Sequence, residues 1–223
     1  MQKTVSLVSL LVLEWAWALH GAPVLPETLI PTQDNFDLER FLGKWYEVAV
    51  VSNCPHYMQR KTGNPVIVAL EMQHVTSESN VTMTASLFRN GLCKKTLTDY
   101  SLTDTPGRFF YHIARLGVDV DAFVVQTNYD EYALMILLST EISSGNKTTI
   151  VKLHSRSKDV SPTVLEDFKT LVRQQGIDDN TIIMNQDKGE CAQGEHMTAN
   201  VPLQKSKRHV MSPLAVEDTA ISG

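Results

Sequence analysis

With 223 residues, 43% of them hydrophobic and 20% charged, the chain has material for one sizeable core rather than for two unrelated domains. Its 20 Lys and Arg face 25 Asp and Glu for a formal charge of -5, and no basic run is long enough to follow a phosphate backbone, so nucleic acid is excluded as a partner. With 11 Gly, 9 Pro and 7% aromatic residues it carries no collagen, coiled-coil or disordered signature.

A mostly apolar run from Val5 to Ala18 follows Lys3. Glu14 interrupts the run, which falls short of the roughly 20 residues that span a bilayer, so it predicts a secretion signal over 1–20 and no transmembrane anchor. Ala16-Trp17-Ala18 and Gly21-Ala22 both suit the cut. The expected product is secreted and extracellular, with one domain over 21–204 and a tail over 205–223. Asn80-Val81-Thr82 and Asn146-Lys147-Thr148 are glycosylation sequons on the same route.

From Gly43 to Arg156 one unit recurs, an apolar-alternating run of about eight residues followed by polar or Gly/Pro punctuation. It predicts eight strands, near 43–52, 65–75, 80–89, 92–101, 107–115, 120–128, 131–139 and 148–156. Val81, Met83, Ala85 and Leu87 fall on one face of the third, with Thr82, Thr84 and Ser86 on the other. Tyr132 to Leu138 is apolar on both faces and needs an outer cover. A helix supplies it: Ser161 caps, Pro162 takes the first position, Val164, Leu165, Phe168, Leu171 and Val172 form the apolar stripe, and Gly176 stops it. Eight hairpin-linked strands leave two exposed edges unless the sheet closes, and the pattern alone fits a closed up-and-down barrel or a two-sheet sandwich.

Three cysteines are an odd count for an oxidising compartment, so one disulfide and one free thiol are expected. Cys54 sits in the polar, proline-bearing segment Ser52-Asn53-Cys54-Pro55-His56, whereas Cys191 lies in a Gly-containing tail with few other attachments. Cys93 is therefore paired with Cys191, and Cys54 is left free. No cysteine has a second Cys or His at finger spacing, so no metal site is expected.

Three motifs then separate barrel from sandwich. Phe41-Leu42-Gly43-Lys44-Trp45-Tyr46 opens the first strand, Thr127-Asn128-Tyr129-Asp130-Glu131-Tyr132 joins the sixth and seventh, and Arg156 ends the eighth just before the helix. In this order they resemble the lipocalin family. The resemblance implies an all-β fold, an eight-stranded antiparallel up-and-down barrel with one C-terminal α-helix packed outside, whose cup takes a small hydrophobic ligand. It makes Gly43, Trp45, Thr127, Tyr129, Asp130 and Arg156 structural, with Arg156 lying as a cation across the Trp45 ring.

The segments Cys54-Pro55, Gly91-Leu92-Cys93 and Gly189-Glu190-Cys191 are similar to a plasma branch of that family with one barrel-to-tail disulfide and one unpaired thiol. That branch implies haem and its breakdown products as ligands, thiol-based reduction and radical scavenging, and mixed disulfides with plasma proteins. The chain would be mainly a binding protein with weak reductase activity and no obligatory cofactor. If Trp45 marks the base, nine further residues at about 3.3 Å each carry the chain roughly 30 Å, which puts Cys54 at the open rim. His56, Arg60 and Lys61 are the nearby cations that would raise its thiolate fraction.

Ile150, Lys152, His154 and Arg156 share one face of the eighth strand, so Lys152 and His154 should look into the cavity as ligand-binding residues. Lys152 matches a ligand-binding lysine of the plasma branch, and two other such lysines are replaced by Ile113 and Ser139. His154 reads as a hydrogen-bonded interior histidine rather than a haem ligand. Two alternatives accompany this reading. A thiol-dependent isomerase of the prostaglandin-converting lipocalin type needs its sulfur deep inside. A simple carrier would use Cys54 only to couple to plasma proteins. In the tail, Lys205-Ser206-Lys207-Arg208 resembles a processing site that cuts after Arg208, and the acidic stretch from Glu217 to Gly223 resembles a glycosaminoglycan attachment segment at Ser222.

Overall fold

The computed structural model describes residues 30–75, 80–89 and 91–191. A short helix α1 (Leu38–Phe41) leads into strand β1 (Gly43–Ser52), which is followed by helix α2 (Pro55–Thr62) and β2 (Val68–His74). Four hairpin-linked strands come next, β3 (Asn80–Arg89), β4 (Leu92–Leu102), β5 (Arg108–Ile113) and β6 (Val118–Thr127). They lead to β7 (Tyr132–Glu141), β8 (Lys147–Ser155), helix α3 (Pro162–Gln174) and a two-residue strand β9 (Ile183–Met184).

Neighbouring strands from β2 to β8 pair antiparallel in sequence order, and β1 closes the ring by pairing with β8 on one side and β2 on the other. Closure answers the edge problem, and the barrel is the correct alternative. Alternation decides what faces inward. Leu70, Met72, Val81, Met83, Phe109, Tyr111, Val120, Ala122, Met135 and Leu137 form the inner core above Trp45. Tyr46, Ala49, Val51, Leu134, Ile136, Val151 and Leu153 form an outer core with Val164, Phe168, Leu171 and Val172 of α3. The run from Tyr132 to Leu138 is apolar on both faces because α3 covers its outer one. Ser161 caps α3 by accepting from the Val164 amide at 3.4 Å.

A bulge between Glu47 and Ala49 re-phases β1. Consecutive Val48 and Ala49 both pack in the outer core, and Glu47 stays with the inward set. The β1–β2 ladder stops at Glu47↔Val68. Above that level the C-terminal segment takes over the edge of β1, with Ala49 opposite Met184 and Val50 opposite Ile183. Gln186 then exchanges backbone hydrogen bonds with Ile67 and Pro65, at 3.0 Å each. The chain continues across Phe88 to the Cys93–Cys191 disulfide, whose Cα atoms lie 5.3 Å apart. Residues 183–191 therefore form a strap that fills the gap between the upper parts of β1 and β2.

Candidate functional site

The hairpins β3–β4, β5–β6 and β7–β8 and the connection through α2 lie at one end of the barrel, its mouth. The other end is its base. The lipocalin-like motifs meet at the base. Gly43 adopts φ +88°, and a Cβ there would stand 3.6 Å from the Arg156 guanidinium. Arg156 lies 3.7 Å from the Trp45 ring centroid. It also donates to the carbonyls of Tyr129, Leu42, Lys44 and Arg40 at 2.7 to 3.0 Å. The Trp45 indole donates to the Phe41 carbonyl at 2.7 Å. Thr127 donates its hydroxyl to the Tyr132 carbonyl at 2.6 Å and accepts from the Tyr129 amide, whose residue sits at φ +68°. Asp130 pairs with Arg40 at 3.4 Å on the surface, and its charge also acts on Arg156. One arginine thus ties together the chain entry, the first strand and the β6–β7 turn.

The interior above this base is not wholly apolar. Lys152 and His154 face inward on β8, in register with Met135 and Ala133 of β7. Glu47 comes from β1, directly opposite His154. Lys61 comes from the last turn of α2, near the mouth. The Glu47 carboxylate takes both lysines, Oε1 to Lys61 Nζ at 2.5 Å and Oε2 to Lys152 Nζ at 2.6 Å. Burial acts to raise the Glu47 pKa, but the charges of Lys152 and Lys61 override it and hold the carboxyl well below its usual range. For Lys152 burial pulls the other way, and the Glu47 charge overrides it and raises the ammonium pKa.

Three tyrosines complete the belt. Burial pushes the phenols of Tyr57 on α2, Tyr100 on β4 and Tyr111 on β5 upward, so all three stay neutral donors and acceptors. The Tyr100 and Tyr111 rings lie 4.4 Å apart. His154 is buried, and its Nε2 has no hydrogen-bond partner among the described residues. Burial, reinforced by the Lys152 charge, pushes the His154 pKa down to about 3.

That depression carries a pH signature. An unfolded histidine titrates near 6.5 and this one near 3, so its stability contribution is complete above pH 6.5 and is lost as pH falls. The slope approaches about 1.4 kcal/mol per pH unit, and about 2 kcal/mol is lost between pH 6 and 4.5. Urea unfolding at a series of pH values should show this fall in the native chain and a flat profile over the same window in His154→Phe.

Cys54 is the free cysteine and is half-buried, immediately before the first residue of α2. Its amide donates to the Ser52 hydroxyl at 3.1 Å and its carbonyl accepts from the Met58 amide at 3.0 Å. The thiol stands at the mouth rather than among the buried polar groups. That position is unsuited to the deep sulfur an isomerase requires. Of the three cations expected around it, His56 and Arg60 are exposed on α2, whereas Lys61 turns inward to Glu47. Ile113 and Ser139 line the upper inner faces of β5 and β7, and neither supplies a charge.

Asn80 is half-buried at the start of β3, and Asn146 is exposed in the β7–β8 hairpin. The secretion signal over 1–20, the processing site at Arg208 and Ser222 lie outside the described residues. Sequence reasoning missed Glu47, α2 as a helix, and the strap. The spacing Trp45-x-Glu47 did carry the first of these, because an inward tryptophan puts the residue two positions on inside as well.

Comparison with known proteins gives consistent results. The profile of the Lipocalin / cytosolic fatty-acid binding protein family matches residues 42–189. Protein AMBP of Pleuronectes platessa, the alpha-1-microglobulin/bikunin precursor, is 48% identical over 100% of this chain and 63% of its own length. A lipocalin of Rhinella marina is 34% identical over 70% of this chain and 84% of its own. Among solved structures, the siderocalin Ex-FABP superposes with a TM-score of 0.57 at 23% identity, covering 73% of this chain and 99% of that one. The chain spans less than two thirds of the length of the AMBP protein it resembles.

Proposed function

The chain belongs to the lipocalin family, and from that premise we propose that it is a secreted carrier for small planar, apolar ligands bearing an acidic group, with Cys54 as a reducing thiol at the mouth. Haem and its breakdown products have this chemistry. The observation that carries the reading is the charge balance inside the cup: Lys61 and Lys152 share the single carboxylate of Glu47. The buried cluster is one negative charge short, and a ligand carboxylate among Lys61, Lys152 and the tyrosine hydroxyls would complete it. His154 Nε2 is a further polar atom for the ligand.

The reducing step uses Cys54 alone. Its thiolate gives one electron to a one-electron oxidant, such as an organic radical or ferric haem, and becomes a thiyl radical. Two thiyl radicals from two molecules then couple to a disulfide, so two thiolates reduce two oxidant molecules. Attack of the same thiolate on a disulfide of a plasma protein forms a mixed disulfide and releases that protein's other sulfur as thiolate.

Titration with haemin, followed by absorption, tests the binding reading. The native chain should saturate, and Lys152→Met should weaken binding by about tenfold, the effect of losing one charge-assisted contact. Equal affinity in the two would reject the anion-binding interior. Cys54→Ser should keep the same unfolding midpoint and the same haemin affinity while losing reduction of ferricytochrome-type oxidants. Undiminished reduction would remove Cys54 as the electron source.

A further inference from the structure

Six large hydrophobic residues are exposed among the described residues; Leu97, Phe110 and Met184 lie along β4, β5 and β9, and the three most exposed lie together at one end. Leu92, Leu116 and Ile142 are 65%, 46% and 58% exposed. They sit one on each of the three mouth hairpins, β3–β4, β5–β6 and β7–β8. The tips of the last two are joined, since the Ile142 amide donates to the Gly117 carbonyl at 2.9 Å. An up-and-down barrel gives no folding reason for apolar residues there, because hairpin tips are normally polar.

Charge is equally one-sided. Apart from Lys61, which turns inward to Glu47, the described segments around the mouth (53–65, 91–95, 113–118 and 141–147) carry Arg60, Lys94, Lys95, Arg115 and Lys147 against Glu141. The described loops at the base (30–42, 103–107, 128–131 and 156–161) carry Asp34, Asp37, Glu39, Asp104, Asp130, Glu131 and Asp159 against Arg40, Arg156 and Lys158. A chain whose formal charge is -5 thus bears a basic mouth and an acidic base, an axial dipole that turns the mouth toward a negative surface.

We infer that the mouth is a docking face for an anionic lipid bilayer, with Leu92, Leu116 and Ile142 entering the interface and the basic rim lying at the headgroups. Apolar tips on one joined pair of hairpins and on a third hairpin, set among cations, suit a deformable headgroup layer, which admits them at different depths. A protein partner would instead need one continuous complementary patch. Docked this way, the cup opens into the bilayer, and an apolar ligand passes between the two without crossing water. Docking itself depends on the outer tips and does not require the ligand chemistry proposed above.

Asn146 lies in the same hairpin as Ile142, and a glycan on it would stand between mouth and membrane, so the test uses the secreted Asn146→Gln chain. Co-sedimentation with phosphatidylcholine vesicles containing 30% phosphatidylserine should show binding at low salt. Pure phosphatidylcholine should show about tenfold less, as should the charged vesicles in 0.5 M salt. Leu92→Ser/Leu116→Ser/Ile142→Ser should keep the unfolding midpoint and the haemin affinity and lose about tenfold in vesicle binding. Lys94→Glu/Arg115→Glu should lose a similar factor. Absence of binding to the charged vesicles, or binding that the serine triple leaves unchanged, overturns the inference. So does concentration-dependent self-association that the triple abolishes in a chain that ignores lipid, because the tips would then serve a second copy.

Discussion

Glu47→Gln should lower the unfolding free energy at pH 7 by about 3–5 kcal/mol, the range for removing one partner of a buried ion pair. The glutamine fits the space and can still hydrogen-bond, so the loss is electrostatic. Lys152, held between β1 and β7 on the inner wall, keeps its charge with nothing opposite it, and Lys61 adds repulsion at the same spot. The two lysines have different escapes. Lys61 rides on the last turn of α2, so it can swing out to water and loosen that turn, while Met58 stays packed against the outer core and Tyr57 toward the interior. Lys152 has no such route. The variant should therefore show faster amide exchange in the last turn of α2 than the native chain, together with the lower midpoint. Glu47→Gln/Lys152→Met should regain most of the lost stability, because it removes the stranded charge as well as its partner. The sign with pH is fixed by the depressed carboxyl: its contribution is present above the unfolded glutamate value near 4.3 and is lost as pH falls below it. Native and Glu47→Gln stabilities should accordingly converge at acid pH. A cost under about 1 kcal/mol at pH 7 would mean that water, and not Glu47, compensates the two lysines.

The strands were legible because each is a period-two pattern with its own punctuation, and β3 from Asn80 to Arg89 has the predicted bounds. Closure was not legible in that pattern. It rests on β1 pairing with β8 across most of the sequence, a contact that local alternation does not encode. The motif resemblance supplied it, and the base bears this out, since Arg156 is useful only where β1, β8 and the β6–β7 turn converge. The inward faces of β8 were read correctly for Lys152 and His154. What the two do there depends on groups that come from elsewhere. Segment 55–62 has no apolar stripe at helical spacing, so nothing in it announces a helix that drops Tyr57 and Lys61 toward the interior. The same blindness assigned Lys61 to the thiol. The run Val48-Ala49-Val50-Val51 hides the bulge, because four apolar residues in succession have no phase to lose.

Loss of the Cys93–Cys191 bridge should cost about 3–5 kcal/mol, in line with about 4.7 kcal/mol from the chain-entropy model for a loop of that length. The bridge closes 98 residues, a loop that holds β4 to β9 and α3, so the unfolded chain gains freedom over more than half of the barrel. The native state loses less but in a definite place. Besides the disulfide, the strap is attached by β9, by Gln186, by Asn185, which donates to the Val48 and Glu47 carbonyls, by the Tyr46 hydroxyl, which donates to Glu190, and by surface ion pairs of Lys158 with Asp187 and Glu190 and of Lys44 with Glu190 that contribute little. Without the disulfide its end peels from Phe88 back toward Gln186, and the gap where β1 and β2 diverge is exposed beside Glu47. Cys93→Ser/Cys191→Ser should therefore show a lower denaturation midpoint, faster exchange at the Ile67 and Gln186 amides, and faster release of bound haemin. The base should be spared, with the Trp45 fluorescence environment unchanged below the transition. If instead the exchange increase were spread evenly over all strands, the strap would be a general tether and not the seal of that gap.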